Sequence, residues 1–271
     1  MDIVRVKYTN GKKTGVNENL LFFFTKIKLL FLYLFFRNPI LNKSKMKNFI
    51  KSNFLPVFLV LVAAVLYVHY TNNFILEVIF KPLIVISLLV YIAINPLQKI
   101  KALFFAGSGL IFSLFGDVLL LFQKNNPKFF VLGLVAFLAA HVFYIIYYLR
   151  STDNAIPSKK LKTKPIIVLA ILAFGTLLFT LLFNNLGGLK IPVFAYTAVL
   201  ISMNLFALNR YGKVSDESFK LIMIGAIFFT LSDSMLAVNK FLLPIPLAKI
   251  WILGTYAAAQ YFITKGVLSK K

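Results

Sequence analysis

Cysteine is absent from the 271 residues, and histidine occurs only twice, at His69 and His141. Disulfides, thiolate nucleophiles and cysteine-based metal sites are thereby excluded. A catalytic zinc centre is not expected either, because such sites generally draw on three protein ligands. Acidic residues are nearly as scarce, eight against 30 lysines and arginines, giving a formal net charge of +22. Such basicity can signal nucleic acid, but the lysines lie in short clusters between apolar runs, as in the cytoplasmic loops of membrane proteins. Topology accounts for the charge, and no nucleic-acid partner is expected. With no metal-ligand cluster and no glycine-rich phosphate loop, the chain is expected to work without a cofactor.

What is present in abundance is apolar surface. Hydrophobic residues make up 60% of the chain, and the mean hydropathy is +0.85. Apolar runs of about 20 residues recur, the length that crosses a bilayer as a helix. They are apolar on every side, whereas a β-barrel would alternate polar and apolar positions. The fold class is therefore all-α: a polytopic membrane helix bundle of eight transmembrane helices, read at 54–70, 78–95, 101–122, 129–149, 165–183, 191–208, 219–238 and 247–265. Segments 96–101, 150–164, 209–220 and 265–271 hold 2, 5, 3 and 3 lysines and arginines, against 0, 2, 1 and 2 in the alternate connections. That asymmetry places both termini in the cytoplasm. The expected setting is a bacterial inner (plasma) membrane.

Residues 1–53 read as a basic extension ahead of the membrane domain, 54–271. Within it LLFFFTKIKLLFLYLFF, residues 20–36, carries Lys26 and Lys28 at its centre, which suits an interfacial helix better than a span. Met46 offers an alternative translational start.

The few acids are informative by position. Asp2 and Glu18 fall in the extension, and Glu77, Asp153, Asp216 and Glu217 read as loop residues. Asp117 and Asp233 remain, each about five residues inside the same-side end of a span, so each lies ~7 to 8 Å deep. A carboxyl group at membrane depth costs several kcal/mol unless it faces protein or water, which makes both functional candidates. Each lies on a small-residue stripe, Gly109, Ser113, Gly116, Asp117 in one helix and Gly225, Phe229, Ser232, Asp233 in the other, so both face the bundle interior. Lys81 sits near the same level and either joins them, snorkels, or pairs with Glu77. His141 and Tyr144 share a stripe with Gly133 and Phe137. Tyr196, Asn204, Asn239 and Gln260 are further polar candidates, as pocket lining or as hydrogen-bonding glue between helices. Asp117 and Asp233 are the expected functional pair, with Lys81, His141, Tyr144, Tyr196, Asn239 and Gln260 expected to bind substrate.

GDVLLLFQK (116–124) aligns without a gap with SDSMLAVNK (232–240), and AAHVFYI resembles AAQYFI. An even number of spans lies between them, the spacing of two parallel four-helix repeats related by an axis along the membrane normal.

The elements KPL (81–83), GDVLL (116–120), GLVAFLAAHVFY (133–144), YTAVLISM (196–203), GAIFFTLSDSMLAVNKF (225–241) and YAAAQYF (256–262) together resemble the YhhN-type lysoplasmalogenases, multi-span hydrolases of ether lysophospholipids. The resemblance covers spans two to eight. It implies hydrolysis of the vinyl ether of a lysoplasmalogen to a fatty aldehyde and a glycerophospho-alcohol, with Asp117 and Asp233 as the catalytic carboxyls. The implied partners are a lysophospholipid substrate and the surrounding membrane lipids. The chemistry needs an acid for the β-carbon and a base for water, the division of labour of paired glycosidase carboxylates. Two other readings use the same residues: a proton-coupled transporter with an Asp, Lys and His relay, and a lipid-binding protein without turnover.

Overall fold

The computed structural model describes residues 43–71, 73–95, 100–152 and 165–269. Eight long helices occupy them: α1 Lys43–Thr71, α2 Phe74–Ile94, α3 Ile100–Leu121, α4 Lys128–Arg150, α5 Pro165–Leu182, α6 Lys190–Leu208, α7 Asp216–Phe241 and α8 Ala248–Leu268. Short 3₁₀ turns, Phe183–Asn185 and Gly187–Leu189, join α5 to α6. Phe49–Lys271 form one compact unit. The expected interfacial helix at 20–36 lies outside the described residues.

These helices are the eight expected from hydropathy. α1 through α7 are long and apolar enough to cross a membrane, so the chain is a multi-pass membrane protein. α8 is 21 residues long but falls short of that apolarity. The reason is its position: Tyr256, Gln260 and Thr264, one turn apart, are 4%, 0% and 1% exposed. A helix walled by protein can carry polar groups that a lipid-facing helix cannot.

Local chemistry sets several ends. Asn73 caps α2 by accepting the Leu76 amide, and Ser215 caps α7 by accepting that of Ser218. Asp216 and Glu217 follow in the first turn of α7, where the helix dipole favours negative charge. Glu77 differs from its expected loop position. It lies in the first turn of α2 and is 7% exposed. α7 also runs to Phe241 rather than 238, so Asp233 stands eight residues before its end (241 − 233) while Asp117 stands four before the end of α3 (121 − 117). The equal depth read from the span ends is thus not mirrored in the helix ends.

The bundle is organised around two helix pairs, α3 with α4 and α7 with α8, which pack most extensively. Each pair closes on a glycine eight residues ahead of its aspartate. A Cβ at Gly109 would lie 2.5 Å from the Tyr144 ring, and one at Gly225 would lie 2.9 Å from the Ile263 amide nitrogen. α2 packs on α3 and α6 on α7, placing the flanking helices alike.

Candidate active site

The two aspartates are both buried, Asp117 at 1% and Asp233 at 8% exposure. Their surroundings differ in charge. Asp117 faces Lys81 of α2, whose Nζ stands 3.3 Å from Oδ1, and its Oδ2 accepts the Tyr256 hydroxyl of α8 at 2.7 Å. A carboxylate and an ammonium removed from water together cost far less than either alone, which explains how α3 tolerates the acid. Lys81 therefore pairs with Asp117 and not with Glu77.

Asp233 has no lysine or arginine beside it among the described residues. Its Oδ2 accepts the Tyr196 hydroxyl at 2.5 Å and lies 3.4 Å from His141 Nε2. Tyr196 comes from α6 and His141 from α4, so Asp233 is held by side chains of two other helices. Asp117 is held in the same way, between α2 and α8.

An aromatic layer connects the two acids. The Phe229 ring lies 4.6 Å from that of His141 and 5.6 Å from that of Tyr256, centroid to centroid. The edge of Phe137 meets both Phe229 and Tyr256. Beyond Asp233 opens a narrow cleft of about 30 Å³, lined by Phe130 and Leu134 of α4, Leu178 and Leu182 of α5, Val193 and Leu200 of α6 and Phe241 of α7. Tyr196, Thr197 and Asp233 are the polar members of its wall, and Asp117 is not among them. The arrangement is a carboxyl at the head of a greasy slot, backed through aromatic rings by a second carboxyl bearing its own counter-charge.

The remaining expected residues separate. Tyr144 donates to Gln260 Oε1 at 2.6 Å, one turn along α8 from Tyr256. Asn239 spends its carbonyl oxygen on the Ile245 amide in the α7–α8 connection, at 2.9 Å. Asn204 donates to Thr230 at 2.6 Å and so ties α6 to α7. Among the described residues no group of three or more His, Asp or Glu could hold a metal ion.

Comparison with known proteins decides the family. The YhhN family model matches residues 76–267, well over half of the chain. The chain belongs to the YhhN family. Curated relatives carry a consistent name. Lysoplasmalogenase TMEM86A of Homo sapiens is 29% identical over 173 residues, 60% of this chain and 65% of that protein. Lysoplasmalogenase TMEM86B of Homo sapiens is 33% identical over 159 residues, 59% of this chain and 61% of that protein. The lysoplasmalogenase of Mycobacterium bovis is 31% identical over 138 residues, 51% of this chain and 50% of that protein. The chain thus aligns with less than two thirds of each relative's length. No solved structure matches it.

This YhhN chain also holds polar groups that the sequence reading passed over. Tyr256 is one of 12 tyrosines in a chain that also has 30 phenylalanines, and an aromatic residue in that background carries no signal of its own. Its position four residues before Gln260 was the available clue. At the same end of the bundle, Glu77 accepts from Lys249 at 2.8 Å and lies 3.4 Å from His69. A lone glutamate within FILEVIFKPL could have indicated a partner on another helix.

Proposed function

We propose that the chain is a membrane-embedded hydrolase that cleaves the vinyl ether of lysoplasmalogens, with Asp233 as the acid and Asp117 as the base. The observation that carries this reading is the unequal counter-charge of the two buried carboxyls. Lys81 balances a negative charge on Asp117. Asp233 has only a phenol and an imidazole at its Oδ2 and faces an apolar slot. Family membership and the names of the relatives support the substrate class.

The reaction follows from those roles. A proton passes from Asp233 to the β-carbon of the vinyl ether, leaving an oxocarbenium-like cation that the Asp117 carboxylate stabilises. Water adds to the cation while Asp117 takes its proton. The hemiacetal then collapses: its hydroxyl proton returns to Asp233, Asp117 protonates the departing oxygen, and aldehyde and glycerophospho-alcohol leave with both carboxyls reset. Tyr196 and His141 orient Asp233, and Tyr256 and Lys81 orient Asp117. The alkenyl chain occupies the slot between α4, α5, α6 and α7, its vinyl ether reaches past the slot's head to lie between Asp233 and Asp117, and Lys81 serves the polar headgroup side. No cofactor enters the scheme. The proposed setting is a plasma membrane with both termini cytoplasmic.

Purified protein supplied with lysoplasmalogen is expected to release fatty aldehyde. Positioned acid–base groups typically contribute ~10² to 10⁴-fold, and Asp117→Asn and Asp233→Asn are each expected to lose activity on that scale. Wild-type activity in either variant would overturn the roles, and inactive wild type would overturn the substrate.

A further inference from the structure

Eight buried side-chain nitrogen and oxygen atoms have no hydrogen-bonding partner among the described residues. Three belong to His69 and His141, and the other five, Ser113 Oγ, Gln260 Nε2, Thr264 Oγ1, Tyr148 OH and Arg210 Nε, all lie off the Asp233 slot. They follow one path. It begins at Asp117, passes to Tyr256, and continues along α8 to Gln260 and Thr264, whose spacing of four residues keeps all three on one face. Gln260 also interacts with the Tyr256 hydroxyl, and Ser113 with that of Tyr144. Tyr144, already bonded to Gln260, is followed one turn later by Tyr148, whose ring lies 5.6 Å from the Arg210 guanidinium.

Arg210 ends the path. It is 1% exposed, donates to Ser151 and, at 2.9 Å, to Ser218, and has no carboxylate partner among the described residues. Ser218 in turn donates to the Gly266 carbonyl of α8, two residues past Thr264, at 2.7 Å. The path therefore runs from the acid end of the bundle to the ends of α4, α6 and α8, beside the start of α7.

A buried polar atom left unpaired costs roughly 1 to 3 kcal/mol. Thr264 Oγ1, Tyr148 OH and Arg210 Nε, left so along one path, would be a heavy burden for a bundle to carry dry. The alternative is water, which typically occupies interior sites where it makes about three hydrogen bonds to otherwise unpaired groups. We propose that this column holds a file of water molecules joining Asp117 to the Arg210 end of the bundle. The ligand class is water alone. Among the described residues no carboxyl lies along the column between Asp117 and Arg210, and a guanidinium at its end repels hydronium, as an arginine does in water-selective pores. The file hydrates the carboxyl that the reading above makes the base, yet its existence does not depend on that reading.

Radiolytic hydroxyl-radical labelling, which oxidises side chains next to bound water, tests the file on the full chain in lipid nanodiscs without substrate. Once each rate is scaled by the side chain's intrinsic reactivity toward the radical, Tyr144 and Tyr148 should be oxidised far faster than the equally buried apolar residues Ile84 and Leu88. Thr264→Val should lower Tyr148 oxidation several-fold, while Thr264→Ser, which keeps the hydroxyl, should leave it unchanged. Circular dichroism and elution volume check that each variant is folded; if Thr264→Val is not, Gln260→Leu with Tyr144 as reporter takes its place. Unlabelled tyrosines in the wild-type chain, or labelling indifferent to loss of the polar side chain, would overturn the file. Aldehyde release is measured separately, so failure of the hydrolase reading leaves this result standing.

Discussion

Removing Lys81 while leaving Asp117 in place would strand a carboxylate whose side chain is only 2% exposed. Breaking a buried ion pair from one side typically costs about 3 to 5 kcal/mol. Lys81→Met is therefore expected to lower the melting temperature in detergent and abolish aldehyde release. Adding Asp117→Asn should recover most of the stability and none of the activity, a separation that thermal unfolding and the aldehyde assay together would reveal. A single Lys81→Met change that melts like wild type would break the argument. At this scale the sequence was legible where composition made a residue rare. In a lipid-length apolar run an aspartate stands out because its burial has a price, whereas Tyr256 and Tyr196 blend into an aromatic-rich background. Their hydroxyls acquire meaning only when another helix brings a carboxyl within 2.7 Å or 2.5 Å.

Helices follow more directly from the amino-acid order, since bilayer thickness dictates their length and every backbone group must be satisfied within the segment. The ends moved where local chemistry outweighed hydropathy: Asn73 starts α2 ahead of its expected first residue, and α7 passes its expected end by three (241 − 238). The small-residue stripes predicted which faces would meet. Gly225→Ala would push a methyl group to 2.9 Å from the Ile263 nitrogen and 3.0 Å from the Ala259 oxygen. Overpacking of that kind costs roughly 1 to 3 kcal/mol. Gly107→Ala meets nothing within 4 Å and should be neutral, or stabilising by up to about 1 kcal/mol through helix propensity. Comparing the two melting temperatures tests whether the α7–α8 seam is as tight as its backbone spacing indicates.

For the molecule as a whole, the lack of cysteine makes orientation directly measurable. Asn125→Cys and Leu243→Cys lie in exposed connections at the acid end of the bundle, and Glu217→Cys is exposed at the opposite end. An impermeant maleimide should label the first two in intact cells and the third only after permeabilisation; the reverse pattern would refute cytoplasmic termini. The contacts of the two acids follow one rule: the aspartate of α3 is held by α2 and α8, that of α7 by α6 and α4. What one linear motif could not convey is that the partners of each acid come partly from the other half of the chain. A last consequence follows from α5, whose span Pro165–Asn185 is 17% buried and which supplies Leu178 and Leu182 to the slot. Packing between leucine and an alkyl tail differs little from leucine against leucine, so this rim offers no ruler for counting methylenes. Tail length should be poorly discriminated, leaving selection to the chemistry at the head.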